Sequence, residues 1–254
     1  DDYGMAASVS AGIRQAHLGG IVTSTTVMMN MPDAESAVRQ APPTLGVGVH
    51  LNITEGVPIL PASQLPHLLS LSDGVQFADM DTVFAHAHEL PVAEIAAEWR
   101  AQIERYRAIS GRNPDHLDSH HHSSYYSHAL YEVMLGLADE YRCALRLPYR
   151  EDEPPVPRDL LSVPADFPED ESPRDMAGQR GLRFPHRFIS SFYDEGVSFE
   201  ALMAILDGLD DGVTELMAHP ALADAGLEQI TTYNWQRAKE LELLTHPQVT
   251  EKIE

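Results

Sequence analysis

A single-domain α/β fold on a mostly parallel sheet is predicted by three observations. Short runs rich in Val, Ile and Thr alternate along the chain with longer stretches of helical spacing, which is the order of βα units. A length of 254 residues with 43% hydrophobic content supports one large core and is compatible with one α/β barrel. Residue types able to hold a metal or move a proton fall at the ends of the strand-like runs, where parallel α/β sheets gather their functional groups.

Asp1-Asp2-Tyr3-Gly4 precedes a first helix from Ser8 to His17, capped by Ser8 or Ser10 and stopped at Gly19-Gly20. Ile21 to Met29 is rich in Val, Ile and Thr and reads as a strand. A short helix starts at Pro32-Asp33, and Leu45 to Asn52 forms the next strand, with His50 near its end. Glu55 to Asp81 has scattered Gly and Pro without a period and is expected to be an insertion forming a rim loop. Val92 to Ile109 sets Ile95, Ala96, Trp99, Ile103 and Tyr106 at the spacing of an amphipathic helix, ended by Gly111. His116 to Ser119 is a short strand, His128 to Tyr141 a helix, and Cys143 to Leu147 a strand that Pro148 breaks. Arg150 to Arg183 is Pro-rich, acidic and aperiodic and is expected to be a second long excursion. Phe188 to Phe192 reads as a strand, and Ser198 to Leu209 as a helix begun by Ser198. Val213 to Met217 is a strand leading into His219-Pro220, and Tyr233 to Leu244 is the last helix. No repeat or low-complexity linker divides the chain, so residues 1–254 are expected to form one domain.

Lys and Arg total 17 against 39 Asp and Glu, a formal charge of -22. Such a field repels phosphate backbones and anionic lipid, so neither nucleic acid nor a membrane surface is an expected partner, and a neutral or cationic substrate is. The acidity is densest from Glu151 to Asp175 and reads as solvated surface. Cys143 is the only cysteine, which excludes an internal disulfide and a thiolate-rich metal site and leaves imidazole and carboxylate as ligands. No apolar run approaches the roughly 18 residues of a membrane span, and no leader pattern opens the chain, so the cytoplasm is the expected compartment. A homodimer is left open as the assembly. Without an initiator Met, the ends of the sequence are expected to be trimmed ones.

Asp1 and Asp2 precede the first helix while His50, His120 and His219 end strands, so all five are expected at one end of the sheet. Asp2, His50 and His120 form a mixed oxygen and nitrogen set suited to Zn²⁺, Mn²⁺, Co²⁺, Ni²⁺ or Fe²⁺. Three protein ligands leave positions open for water and substrate, so one divalent ion in a catalytic centre is expected, zinc foremost. Mg²⁺ suits two imidazoles less, because it favours oxygen donors. Asp1 is expected beside the ion as a base for water, given a turn that Gly4 permits; taken alone, an Asp-Asp pair is more often a turn or a cap. Strand alternation puts His120 and His122 on one face with His121 pointing away. Asp118 shares that parity and is expected to orient His120 through its second ring nitrogen. His116 is read as structural. His219 is mounted before Pro220 either as an acid for a leaving amine or as a core histidine. Arg146 either contacts substrate or fixes a carboxylate.

The segments Asp-Asp-Tyr-Gly at 1–4, Gly-Ile-Val-Thr-Ser-Thr-Thr at 20–26 and Gly-Val-His-Leu-Asn at 48–52 are followed by His-Leu-Asp-Ser-His-His-His at 116–122 and Glu-Leu-Met-Ala-His-Pro at 215–220. In this order, over nearly the whole chain, they resemble the YdjC-like carbohydrate deacetylases, the group that includes chitooligosaccharide deacetylases. Each piece is weak and the combination is specific. The resemblance implies an irregular TIM-like (β/α) barrel with Pro-rich and acidic loop insertions. It implies removal of acetyl from an N-acetylated amino sugar, such as a short N-acetylglucosamine oligosaccharide. It puts the metal on Asp2, His50 and His120, the base on Asp1 and a supporting acid on His219. Tyr3, Phe192, Tyr193 and Trp235 become candidates for a sugar platform. Arg237 and Glu240 match a late Arg-x-x-Glu-Leu element, read as structural. Strands that the family carries before the Asp pair and near its end lie outside this sequence. The family's Cys in Met-Cys-His-Pro is Ala218 here, an exchange that should spare the chemistry. Two rivals stay open: a metal-dependent hydrolase of another amide or ester, and a non-catalytic protein that keeps ion and sugar without turnover.

Overall fold

Parallel strands in the order of the sequence form the main sheet of the computed structural model, which describes residues 1–147, 167 and 172–253. They are β1 (Ser24–Val27), β2 (Gly46–Leu51), β3 (His116–Ser119) and β4 (Ala144–Leu145), each paired with the next. β5 (Arg187–Ile189) and β6 (Thr214–Leu216) pair in parallel as a second sheet. Tyr3 adds an isolated parallel bridge to Val27. Parallel neighbours need crossovers, and helices supply them. α1 (Ala7–Leu18) precedes β1, and α2 (Ala34–Gln40) joins β1 to β2. α3 (Met80–Ala85) and α4 (Val92–Ser110) lie between β2 and β3, and α5 (His128–Tyr141) between β3 and β4. α6 (Pro173–Gln179) precedes β5, α7 (Phe199–Asp207) joins β5 to β6, and α8 (Trp235–Leu244) and α9 (Pro247–Ile253) follow β6. The described elements make one α/β domain, and among them no helix is long and apolar enough to cross a membrane.

Helix faces follow from apolar spacing. α4 buries Ile95, Trp99, Ile103 and Tyr106 on one stripe, together with Glu98 and Gln102, and Ala96 sits at its half-buried margin. Gly111 ends it in the left-handed conformation, φ 73°. α5 starts where the Ser127 hydroxyl accepts the Leu130 N–H, and α7 where Ser198 accepts from Ala201. A smaller apolar cluster, which includes Phe192, Leu202, Leu206 and Leu244, fastens α7, α8 and α9 together.

Several expectations need correction. α1 begins at Ala6 with no side-chain cap; Ser8 and Ser10 lie inside it, and the Ser10 hydroxyl accepts the Gly4 N–H at 3.1 Å. The excursion from Arg150 to Arg183 holds α6, whose Ser172 and Asp175 form a reciprocal capping box around Pro173. Pro148 and most of the acidic run from Glu151 to Asp175 lie outside the described residues. α9 follows the helix read as the last, because a short amphipathic turn after Pro247 can bury Val249 against α7 and α8.

Gly4 fixes the approach of the amino-terminal segment to α2. Its φ is +86°, and a Cβ there would stand 2.7 Å from Ala34 Cα. Gly111 has φ +73° with nothing among the described residues within 4 Å of the same position. Gly111→Ala is therefore expected to lose only the left-handed preference, about 1 kcal/mol. Gly4→Ala should lose about 2–4 kcal/mol, because backbone must also shift. Urea unfolding of the two variants measures the difference, and equal losses would remove the steric role of Gly4.

Candidate metal centre

The carboxyl ends of the strands converge. His50 lies in the last turn of pairing of β2, His120 directly follows β3, Arg146 follows β4, and His219 stands just beyond β6. Asp1 reaches the same place because its nitrogen donates to the Ala218 carbonyl at 2.7 Å. Only the main chain of residue 218 takes part. Asp2 then turns inward at φ 65°, a left-handed value that Asp tolerates better than most residues and that persists where surroundings over-determine it.

Three ligand atoms face one another. Asp2 Oδ1 lies 3.5 Å from His50 Nε2 and 3.3 Å from His120 Nδ1, and the two nitrogens are 3.3 Å apart. Ligands about 2.1 Å from a tetrahedral ion stand about 3.4 Å from each other, so the triangle has the dimensions of one face of a coordination shell. All three residues are buried, and Asp2 Oδ1 has no hydrogen-bond partner among the described residues, an acceptor that a cation or a proton would satisfy. The residues fit a divalent ion with nitrogen and oxygen donors.

The outer atoms of each ligand are fixed. His50 Nδ1 donates to Asp118 Oδ1 at 2.6 Å, which leaves Nε2 with its lone pair toward the centre. The Thr26 hydroxyl donates to Asp118 Oδ2 at 3.0 Å. His120 Nε2 meets Glu55 Oε2 at 3.0 Å, which leaves Nδ1 inward. Arg237 holds the other Asp2 oxygen at 2.6 Å and ties itself to the Tyr233 carbonyl at 2.8 Å. Burial would raise the Asp2 pKa, but Arg237 and His120 outweigh it and hold the carboxyl well below its usual range. Burial opposes charge on His120, yet Asp2 and Glu55 raise it to about 9, so a proton occupies the place that a cation would take. His50 is pushed down by burial despite Asp118, which leaves a neutral imidazole facing the centre.

Glu55 is set by a buried polar network on α4. Gln102 exchanges hydrogen bonds with the Asn52 main chain at 3.0 and 2.8 Å, and Glu98 accepts the Ile59 and Leu60 N–H groups, both at 2.9 Å. Asn52 Oδ1 accepts from Thr54 and Glu55, and Asn30 and Asn52 amides hold the Glu55 carbonyl at 2.8 Å.

Beside the triangle lie Asp1 and His219. Arg146 grips Asp1 with two hydrogen bonds of 2.7 Å, and His219 Nε2 is 3.7 Å from Asp1 Oδ2. Burial drives the His219 pKa well below its ordinary value, so the imidazole is neutral at rest. The His219 N–H donates to Glu240, which also takes the Tyr233 hydroxyl and which burial raises to about 7. Asp1, His50 and Asp118 form a second close set, but the Arg146 guanidinium already bridges its two carboxylates.

The structure thus brings Asp1, Asp2, His50, His120 and His219 together, and it corrects other assignments. Asp118 orients His50 instead of His120, because it is the cross-strand partner of His50. The chain leaves the strand at Ser119, and His121 and His122 take φ 53° and 55°. Alternation therefore fails: the His121 ring packs 3.8 Å from that of His120, with Nδ1 3.0 Å from the Thr54 hydroxyl. His122 packs edge-on against Phe188, and no hydrogen bond joins it to the three ligands. Arg146 fixes carboxylates, with its side chain buried among Asp1, Asp118 and Glu215. Tyr3 and Phe192 are fully buried, the Tyr3 hydroxyl being spent on the Ala37 carbonyl, so neither offers a face to a ligand. Arg237 and Glu240, read as structural, anchor Asp2 and His219. Glu55 was missed as an orienting group; its signal is the Asn-Ile-Thr-Glu turn that leaves β2 beside His50.

Comparison with known proteins places the chain in a family. The family profile described as YdjC-like protein matches residues 1–254. A carbohydrate deacetylase of Enterococcus faecalis is 34% identical, with 100% of this chain and 91% of the relative covered. A chitooligosaccharide deacetylase of Salmonella paratyphi B is 32% identical over 96% of this chain and 88% of its own length. A solved structure from Enterococcus faecalis, described as a candidate cellobiose-phosphate cleavage protein, superposes with a TM-score of 0.84 at 32% identity, covering 100% of this chain and 91% of that one. The chain belongs to the YdjC-like family.

Proposed function

We propose that this protein is a divalent-metal-dependent hydrolase that removes acetyl from an N-acetylated amino sugar, in particular a short N-acetylglucosamine oligosaccharide. The triangle of Asp2 Oδ1, His50 Nε2 and His120 Nδ1, with Asp1 and His219 at its side, is the observation that carries this reading. The family's relatives named carbohydrate and chitooligosaccharide deacetylases support the substrate class. Asp2, His50 and His120 would hold the ion, which when bound supplies Lewis-acid polarisation of the acetamide carbonyl and a lowered pKa for water; zinc suits the donor set best.

The chain's own groups then move the protons. Asp1, held by Arg146, keeps a second lone pair on each oxygen and takes the proton of the attacking water. His219 is neutral at rest and must gain a proton before it gives one. Asp1 Oδ2 is near enough to supply it at Nε2, from which it passes to the departing nitrogen. Exposure is 1% at Asp2, 12% at the His219 side chain, 29% at Glu55 and 44% at Tyr193, so the sugar enters past the last two.

The fold reading extends to an irregular TIM-like barrel of which the two sheets are arcs. Residues 1–3 link the end of β6, through Ala218, to β1, through Val27. On the far side the Leu145 N–H donates to the Arg183 carbonyl at 2.9 Å, drawing the chain ahead of β5 against β4.

Acetate release from N-acetylglucosamine oligomers tests the proposal, with protein as purified, chelator-stripped, and reloaded with Zn²⁺, Mn²⁺, Co²⁺, Ni²⁺ or Mg²⁺. Release should vanish on stripping and return on reloading with one ion per chain. Full activity without metal would remove the ion from the reaction. Metal binding without acetate release would leave another acyl substrate or a binding protein.

A further inference from the structure

Resting on the deacetylase reading, we propose that Tyr193 is the floor on which the reacting pyranose ring stacks, braced from beneath by Tyr233. Tyr193 is among the exposed large side chains, whereas Tyr233 is 8% exposed. Their rings lie parallel, 4.4 Å apart at 8°. Tyr233 cannot turn away, because its hydroxyl donates to Glu240 and accepts the Asp194 N–H at 3.0 Å. Both rings stand edge-on to His219, at 5.5 Å for Tyr193 and 5.8 Å for Tyr233.

The turn that presents Tyr193 is strained and over-determined. Asp194 has φ 49°, and its carboxylate accepts from Gln236 at 2.9 Å. Gly196 closes the turn where a Cβ would stand 2.0 Å from the Ser191 carbonyl. Backbone strain of this kind persists where the surroundings enforce it and collects at ligand clamps. Here it stiffens an exposed aromatic face, which solvent contact alone does not require. A flat aromatic ring favours an apolar planar partner through dispersion and loss of hydration, and the C–H face of a pyranose is such a partner. The acetamide nitrogen must lie at His219 to receive a proton, so the ring that bears it falls over the neighbouring Tyr193. Tyr3 and Phe192 are sealed in the core and cannot compete for it.

Tyr193→Ala, Tyr193→Phe and Tyr193→Trp separate ring face from hydroxyl. Calorimetric binding of an N-acetylglucosamine disaccharide and the KM for acetate release should both weaken roughly 10-fold in Tyr193→Ala, with kcat changed less. Tyr193→Phe and Tyr193→Trp should stay within about threefold of wild type, since the face remains. Equal sugar binding by Tyr193→Ala, or an equal loss in Tyr193→Phe, would overturn the proposal. If the wild type binds the disaccharide through Tyr193 yet releases no acetate, the platform stands and the deacetylase reading falls. If the wild type releases acetate and Tyr193→Ala does so with unchanged KM, the platform falls alone.

Discussion

Replacing Asp1 with Asn is expected to lower acetate release by roughly 10²–10⁴-fold, the usual worth of a positioned base, while one divalent ion per chain still binds. The substitution keeps size and shape but removes the ability to accept a proton. Asp1 lies outside the triangle of Asp2, His50 and His120, so the ligands and their outer partners Asp118, Glu55 and Arg237 remain. One of the two hydrogen bonds from Arg146 is lost, because an amide nitrogen cannot accept it. kcat with metal content by atomic absorption distinguishes the outcomes. Full-rate turnover would show that another group takes the proton. Lost metal together with lost activity would recast Asp1 as a ligand, in the alternative set with His50 and Asp118.

The sequence carried the site further than its supports. Every described strand overlaps one read from the sequence, and strand ends are where a parallel sheet collects function, so His50, His120 and His219 were legible from position alone. Parity along one strand, however, says nothing about the strand beside it. Asp118 shares parity with His120, but the register that pairs His50 with Asp118 decides which imidazole it serves. Parity also lasts only as long as the strand, and β3 stops at Ser119, one residue before the histidines it was used to sort. Glu55 and Arg237 come from a loop and a helix whose docking no local period encodes. α6 is different: Ser172-Pro173-Arg174-Asp175 is a readable capping sequence that the acidic, Pro-rich surroundings obscured. Aromatic identity likewise left Tyr3, Phe192, Tyr193 and Trp235 equivalent until burial set the first two in the core and left the other two exposed.

Arg146→Met should cost roughly 3–5 kcal/mol at neutral pH, as removal of one partner from a buried ionic cluster does. The guanidinium is 4% exposed and meets Asp1 twice at 2.7 Å, Asp118 at 2.9 Å and Glu215 at 2.7 Å, with its carbon 5.1 Å from the Phe188 ring centre. Methionine fills much of the stem's volume and leaves those carboxylates without their counter-charge. The pH dependence gives the cause away. Burial alone would raise the Asp118 pKa, but His50 and Arg146 outweigh it, so in the native protein the carboxyl stays ionised far below its usual range. A depressed carboxyl pKa contributes stability above the unfolded value of about 3.9 and loses it as pH falls further. Without Arg146 that depression shrinks, and the folded variant takes up its proton at a higher pH than the folded wild type does. The wild type therefore keeps no further advantage from this carboxyl once the variant is protonated, and the deficit narrows as pH falls from about 4 toward about 2. Urea unfolding at intervals across that range should show the deficit narrowing. A deficit that stays constant with pH would mean that the Arg146→Met variant fails by packing, and that something other than the arginine's charge keeps these buried carboxylates ionised.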